Sequence, residues 1–293
     1  SELNNIQSLK CNKFDNIQKA ISFYLSSMED TKIHSACFAT AGTVHLDTFK
    51  LANNHWTINK SEVASVLKDV DINWINDFTA QALATTTLTD SDVAVINKGI
   101  AKPEKLRLVI GPGTGLGVCG LVMTKSGWVP IAGEGGHSDF APNTKLEFEI
   151  LTLLTKKFGH VAVERILSGP GILNLYEALC QINGVDTIFK SPSDITAAAV
   201  SKDSNPIAEE TIQMFCKIFG SVAGSMALTI GALGGVYITS DLVRNFLELF
   251  IDSDFQQSFE NKGRLKPVME NIPIYLSKKE NMGLIGTVYQ LNN

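Results

Sequence analysis

The sequence contains no block of lysine and arginine. Its formal net charge is −5 at pH 7 and its pI is near 5.6, so the basic face that a nucleic-acid binder presents is missing. No two of the five cysteines (Cys11, Cys37, Cys119, Cys180 and Cys216) stand at C-x-x-C spacing. That argues against a zinc knuckle and against a paired-thiol redox motif. An odd number of scattered cysteines fits free thiols in a reducing compartment, here read as the cytoplasm. The opening SELNNIQSLK lacks the apolar core of a signal peptide. It starts at Ser1 rather than Met, which reads as processing or trimming. The longest apolar stretch, Ala223 to Ile238, is rich in glycine and broken by Ser225 and Thr229. It reads as a buried helix running into a strand, not as a membrane span.

What is present is an ordinary globular balance, 44% hydrophobic and 19% charged over 293 residues. That length is ample for a large core and favours two domains. Ile17, Ala20, Ile21 and Tyr24 recur at helical spacing within Asp15–Ser26. A buried strand follows in HSACFATAG, a hairpin in HLDTFKLANNHWTIN, a helix in SEVASVLKDV with Ser61 as its cap, and a strand in INWIND. This alternation predicts an α/β layer architecture. A second set begins with a strand over Leu106–Ile110, a turn in GPGTGLG and a strand over Val118–Met123. Thr144 and Glu147 stand at capping-box spacing before a helix that runs to Phe158. Gly169–Pro170 and Pro206 each open a further helix. Gly220, Ala223, Gly224 and Ala227 give the last of these a small-residue surface suited to close packing on another backbone. A strand over Gly235–Thr239 follows it.

Four places carry candidate chemistry. Asn76–Asp77 sits at a strand-to-helix junction, where a carboxylate either caps the helix or serves as a base at a sheet edge. Gly111, Gly113, Gly115 and Gly117 surround Thr114 in a run followed by a strand. A dinucleotide fingerprint needs a helix there, and a Walker A loop needs Gly-Lys-Ser/Thr. What remains is a turn whose N–H groups can hold phosphate oxygens, or a hairpin requiring positive φ. AGEGGHSDFAP brings Glu134, His137 and Asp139 into one loop suited to polyhydroxyl recognition, with a metal or a purely structural loop as the alternatives. Glu164 precedes a turn and helix, where a surface ion pair is the commoner role of a glutamate.

Taken together, NDFTAQALA, GPGTGLGV, GEGGHSDFAP, ERILSGPGILNLYEAL and GGVYI, in this order, resemble the bacterial glucokinase family. The resemblance covers about Asn4 to the last helix. The Cys-rich zinc motif of the related repressor/kinase sugar-kinase group is absent, which favours the plain glucokinase branch. It implies an α/β, two-domain actin-like (ribonuclease-H-like) sugar kinase fold. Residues 1–87 plus 279–293 would form the small domain and residues 88–278 the large one, with sugar and ATP between them. It implies phosphorylation of glucose at its 6-hydroxyl by Mg-ATP, a homodimer, and neither nucleic acid nor membrane as partner. Asp77 would be the catalytic base, and Asn76, Glu134, His137 and Glu164 would bind glucose. Gly113, Thr114 and Gly115 would hold ATP phosphates, and no protein metal site is expected.

Two departures from the pattern carry expectations of their own. The family opens with a strand and a turn of the type Asp-x-Gly-Gly-Thr-Asn, and SELNNIQSLK matches sequence downstream of it, so the small domain is expected to lack its first strands. After GGVYI the usual Gly-Gly pair gives way to Thr239, Ser240 and Asp241, whose side chains are expected to crowd the nucleotide if they face it. These departures leave a second reading, a shortened or degenerate relative that binds sugar without catalysis.

Overall fold

A computed structural model of the chain describes residues 3–28, 32–51, 54–68 and 70–292. The chain divides into two compact units: Ser1–Thr87 with Lys125–Pro130 and Asn281–Asn293, and Leu88–Thr124 with Ile131–Glu280.

The first unit opens with helix α1 (Ile17–Ser26), whose orphan Lys19 N–H is capped by the side chain of Asn16. Strand β1 (Ser35–Thr40), the antiparallel hairpin β2 (Thr48–Lys50) and β3 (Thr57–Asn59), and helix α2 (Lys60–Val66) follow. Asn59 caps α2 by accepting from the Glu62 N–H. The helix therefore starts before Ser61, which the sequence suggested as its cap. Strand β4 (Asp71–Asn76) pairs in parallel with β1, with Thr40 opposite Asn76 at the carboxyl ends of both strands. Ile17, Phe49, Trp56, Ile58, Val63 and Leu67 form the buried core of this unit.

Helix α3 (Asp77–Ala84) leaves β4 directly and packs on the C-terminal helix, Met282–Leu291. The two backbones touch through Gly286: a Cβ built there would lie 1.7 Å from the carbonyl oxygen of Ala80. The helix that carries Asp77 is thus seated by backbone contact, a geometry that any side chain at 286 would push apart.

The second unit is built on a mixed sheet ordered β5-β10-β9-β6-β7-β8. Its strands are β5 (Val93–Asn97), β6 (Arg107–Pro112), β7 (Leu116–Thr124), β8 (Gly127–Gly133), β9 (Val236–Ile238) and β10 (Ile274–Ser277). β6 runs parallel to β9, and β9 parallel to β10, while β7 is antiparallel to β6 and β5 to β10. Helices α4 (Lys145–Phe158), α5 (Gly169–Asn183), α6 (Pro192–Val200) and α7 (Pro206–Ile230) contribute Ile150, Leu175, Ile195 and Phe215 to a core shared with Leu108, Ile110 and Ile238 of the strands. In the Thr144–Glu147 box the Thr144 hydroxyl accepts from the Glu147 N–H, but the Glu147 carboxylate reaches back to the N–H of Asn143.

Alone among the described residues, α7 is a helix long and apolar enough to cross a membrane, and 61% of its most apolar window is buried inside the protein. Its small residues do pack on another backbone. A Cβ at Gly220 would meet the carbonyl oxygen of Phe255 at 2.0 Å, at the start of the short helix Phe255–Glu260. All five cysteines are free. Burial pushes the Cys119 and Cys216 thiols up to about 12 and Cys37 up to about 11, so none of these three is a nucleophile at neutral pH.

Gly286→Ala tests the seating of α3. Alanine is favoured over glycine within a helix by about 1 kcal/mol, but overpacking costs about 1–3 kcal/mol. With a backbone carbonyl in the way, the clash should win. Denaturant unfolding is expected to show a net loss of about 1 kcal/mol; a stabilised variant would show that the two helices do not touch there.

Candidate functional site

In the first unit, Asn76 and Asp77 divide the helix start between them. The Asn76 Oδ1 accepts from the N–H groups of Phe78 (2.9 Å) and Thr79 (3.0 Å) and so fills the capping role. Asp77 stands at the first helical position, with one carboxylate oxygen 2.8 Å from the Phe78 N–H. Its carboxylate meets the positive end of the helix dipole. The cap is shared: Asn76 accepts from both N–H groups, and Asp77 is a second acceptor at Phe78. Both residues are half-buried and lie at the carboxyl end of a parallel strand pair, where ligand sites of open α/β sheets gather.

The second unit brings three turns together. The tip between β6 and β7 is shorter than the glycine pattern suggested: Gly111 and Gly117 are paired inside the ladder, and only Gly113, Thr114 and Gly115 form the turn. None of these glycines has positive φ, which removes the hairpin-geometry explanation for them. Gly115 is instead needed for close approach, because a Cβ there would lie 2.3 Å from Oε2 of Glu164. That same oxygen accepts from the Leu116 N–H at 3.0 Å. The Gly113 carbonyl accepts from the Gly169 N–H at 2.8 Å, at the start of α5. The Gly113 N–H is spent on the Gly115 carbonyl, which leaves Thr114 at an exposed tip.

Glu164 sits in a 3-10 turn, Val163–Arg165, and a second 3-10 turn, Gly135–His137, follows Glu134. The two turns are stitched by backbone bonds from Phe140 to Val161 (3.0 Å) and from Val163 to Ser138 (2.9 Å). His137 Nε2 stands 4.0 Å from Oε2 of Glu134, and both side chains are largely exposed. Asp139, the third acid-or-imidazole residue of that loop, points elsewhere: its carboxylate bonds His160 Nε2 at 2.6 Å. Among the described residues no group of three or more His, Cys, Asp or Glu side chains is placed to hold a metal ion. Within this unit, then, a pinned carboxylate, an exposed carboxylate–imidazole pair and an exposed glycine turn share one neighbourhood, a set suited to hydroxyl and phosphate groups.

The residues after β9 differ in exposure. Thr239 and Ser240 are each 5% exposed and face the interior. The Ser240 hydroxyl donates to the Pro112 carbonyl at 2.5 Å and accepts from the Val243 N–H, capping a short helix, Asp241–Arg244. The Thr239 Oγ1 is buried with no hydrogen-bond partner. Asp241 is exposed and paired with Arg244 at 2.6 Å, which offsets its charge. The expectation of crowding is conditional on these side chains facing the nucleotide; those of Thr239 and Ser240 are buried, and that of Asp241 is exposed. Sequence reasoning missed Ser240 as a partner of the turn; its place between a strand and a helix was the available signal.

A family model described as Glucokinase matches residues 1–293. The chain belongs to the glucokinase family. It is 46% identical over 292 residues to the glucokinase of Hahella chejuensis, covering 100% of this chain and 90% of that protein. Among solved structures it is similar to a glucokinase from an Antarctic psychrotroph, with a TM-score of 0.86 and 32% identity over 97% of this chain and 88% of that one. A glucokinase from Balamuthia mandrillaris, solved in complex with glucose, shares the fold at a TM-score of 0.79 and 21% identity, over 96% and 85% of the two chains.

For a member of this family, Gly115→Ala is a sharp probe of the shared neighbourhood. The new methyl group would force the Glu164 carboxylate off the Leu116 N–H. On the sugar-binding role expected of Glu164, glucose affinity measured by calorimetry should fall about tenfold, which is about 1.4 kcal/mol. Unchanged affinity would show that Glu164 and the turn are independent.

Proposed function

We propose that the chain transfers the γ-phosphoryl group of ATP to the 6-hydroxyl of glucose, giving glucose 6-phosphate and ADP. The observation that carries the assignment of roles is the start of α3: Asn76 accepts from the Thr79 N–H alone and shares that of Phe78 with one oxygen of Asp77, which leaves the second Asp77 oxygen for the sugar. Sugar hydroxyls titrate far above neutral pH, and Asp77 accepts the proton as the oxygen attacks. Asn76 retains its amide N–H groups for ring hydroxyls beside that oxygen. Glu134, His137 and Glu164 read the remaining hydroxyls, Glu164 already pinned by Leu116.

The exposed Thr114 tip, with Gly113 and Gly115, receives the ATP phosphates. Phosphoryl transfer asks for positioning and charge neutralisation more than for covalent chemistry. Mg²⁺ arriving with ATP supplies part of that neutralisation.

This reading extends to a two-domain actin-like architecture, with residues 1–87 plus 279–293 as the small domain and residues 88–278 as the large one. It also includes a homodimer in the cytoplasm. A sugar-binding relative without catalysis is disfavoured, because the family match spans residues 1–293 and the 46%-identical relative is a glucokinase aligned along this whole chain.

Asp77→Asn should lower turnover by about 10²–10⁴-fold, the usual worth of a general base, with glucose binding retained. Coupled ADP release and calorimetry on the same preparation measure both. Turnover equal to wild type would reduce Asp77 to a helix residue. Glu164→Gln keeps an acceptor for Leu116 but removes the charge, and is expected chiefly to raise KM for glucose.

A further inference from the structure

We propose that Ser240 is a positioning residue for phosphoryl transfer: its buried hydroxyl, bonded to the Pro112 carbonyl, sets the Gly113–Gly115 turn in place. The inference rests on the reading of that turn as the phosphate holder. Ser240 lies 128 residues from Pro112 and is tied to it by a bond of 2.5 Å.

The bond completes a ladder. Parallel strands β6 and β9 are in register from Leu108 opposite Val236 to Ile110 opposite Ile238. Past β9 the Thr239 N–H still donates to the Ile110 carbonyl at 3.1 Å. The next outward carbonyl of β6 on this edge is that of Pro112, two residues on, because ladder groups alternate along a strand. By that point the chain has turned into the helix starting at Asp241, and no backbone N–H continues the ladder. The Ser240 hydroxyl takes the place of the missing rung. Pro112 is the last residue of β6, so the rung lies directly before the turn.

The same oxygen also accepts the Val243 N–H at 3.1 Å. One hydroxyl therefore joins the root of the glycine turn to the helix that follows β9, with donor and acceptor capacity both used. Glycine or alanine at 240 would leave the Pro112 carbonyl without its partner in a buried place. Threonine keeps the hydroxyl. The consequence falls first on the turn, because Ser240 bonds Pro112 and Val243 and reaches Glu164 only through the turn's own bond from Leu116.

The test uses the full chain with Ser240→Ala, Ser240→Gly and Ser240→Thr. Hydrogen exchange without substrates reads the turn, and steady-state kinetics read the reaction. We expect Ser240→Ala and Ser240→Gly to speed amide exchange at Gly113 and Leu116, the hydrogen-bonded amides of the turn, at least tenfold. KM for ATP should rise about tenfold with kcat reduced, and KM for glucose should rise several-fold less, through the bond between Leu116 and Glu164. Ser240→Thr should recover most of both effects.

A lowered melting temperature with unchanged exchange in the turn and unchanged KM for ATP would overturn the proposal and leave Ser240 a helix cap. Equal rises in both KM values would overturn it as well, since they report a general loosening. A wild-type chain that releases no ADP with glucose and Mg-ATP would sink the kinase reading instead. That failure is distinct from the exchange result, which is read without nucleotide.

Discussion

The tip of the β6–β7 hairpin cannot hold itself, and the site depends on what holds it from outside. A turn of three residues, two of them glycine, has little side-chain surface to bury and is entropically free to move. Three segments far apart in sequence fix it. Glu164 accepts the Leu116 N–H, Gly169 donates to the Gly113 carbonyl, and Ser240 donates to the Pro112 carbonyl. Each of these partners is itself anchored at a helix or a 3-10 turn, so the turn inherits the rigidity of the large core beneath it. Glycine at 115 leaves room for the first of these ties, since a Cβ there would lie 2.3 Å from the Glu164 carboxylate and press on it.

The first unit solves a similar problem by a different device. A carboxylate placed at a helix start is drawn into capping, which would take it away from chemistry. Asn76 accepts from both orphan N–H groups, so Asp77 commits one oxygen, at Phe78, and keeps the other. The helix that follows is then held by a backbone-to-backbone contact through Gly286, so that Asp77 rides on an element with little freedom to shift. Short functional helices of eight residues have few side chains with which to seat themselves; a glycine on the neighbour is a compact remedy.

What was legible in the sequence follows from how local each signal is. The helices from Thr144, Gly169 and Pro206 were readable because cap, proline and apolar period agree within a single segment. The close-packing face of α7 was readable because small residues recur on one side of it. Strands β5, β8 and β10 were not readable. Their apolar runs are brief, VAVI in β5 and IYL in β10, and that of β8 is interrupted by Pro130, so no run is long enough to mark a strand unambiguously. The cap of α2 moved from Ser61 to Asn59 because two competent residues stand close together and geometry chose between them. The site residues were legible as motifs, but the Glu164–Leu116 and Ser240–Pro112 bonds join positions separated by 48 and 128 residues, and no local pattern encodes such pairs.

On the kinase reading, the sugar-facing groups of the second unit start from unequal positions. Glu164 is already oriented, with one oxygen committed to the protein and the other left for a hydroxyl. Glu134 and His137 stand 4.0 Å apart with side chains 85% and 63% exposed. A hydrogen bond between either group and a hydroxyl is stronger where water is excluded than in bulk solvent. Their contribution to recognition therefore grows when a bound sugar displaces the water around them. A ligand lacking a hydroxyl would cover the same carboxylate without pairing it, and a desolvated, unpaired carboxylate is costly. Selectivity in such an arrangement comes from burying polar groups that only the right hydroxyl pattern can satisfy. The exposed state of Glu134 and His137 before binding is thus part of how the site discriminates.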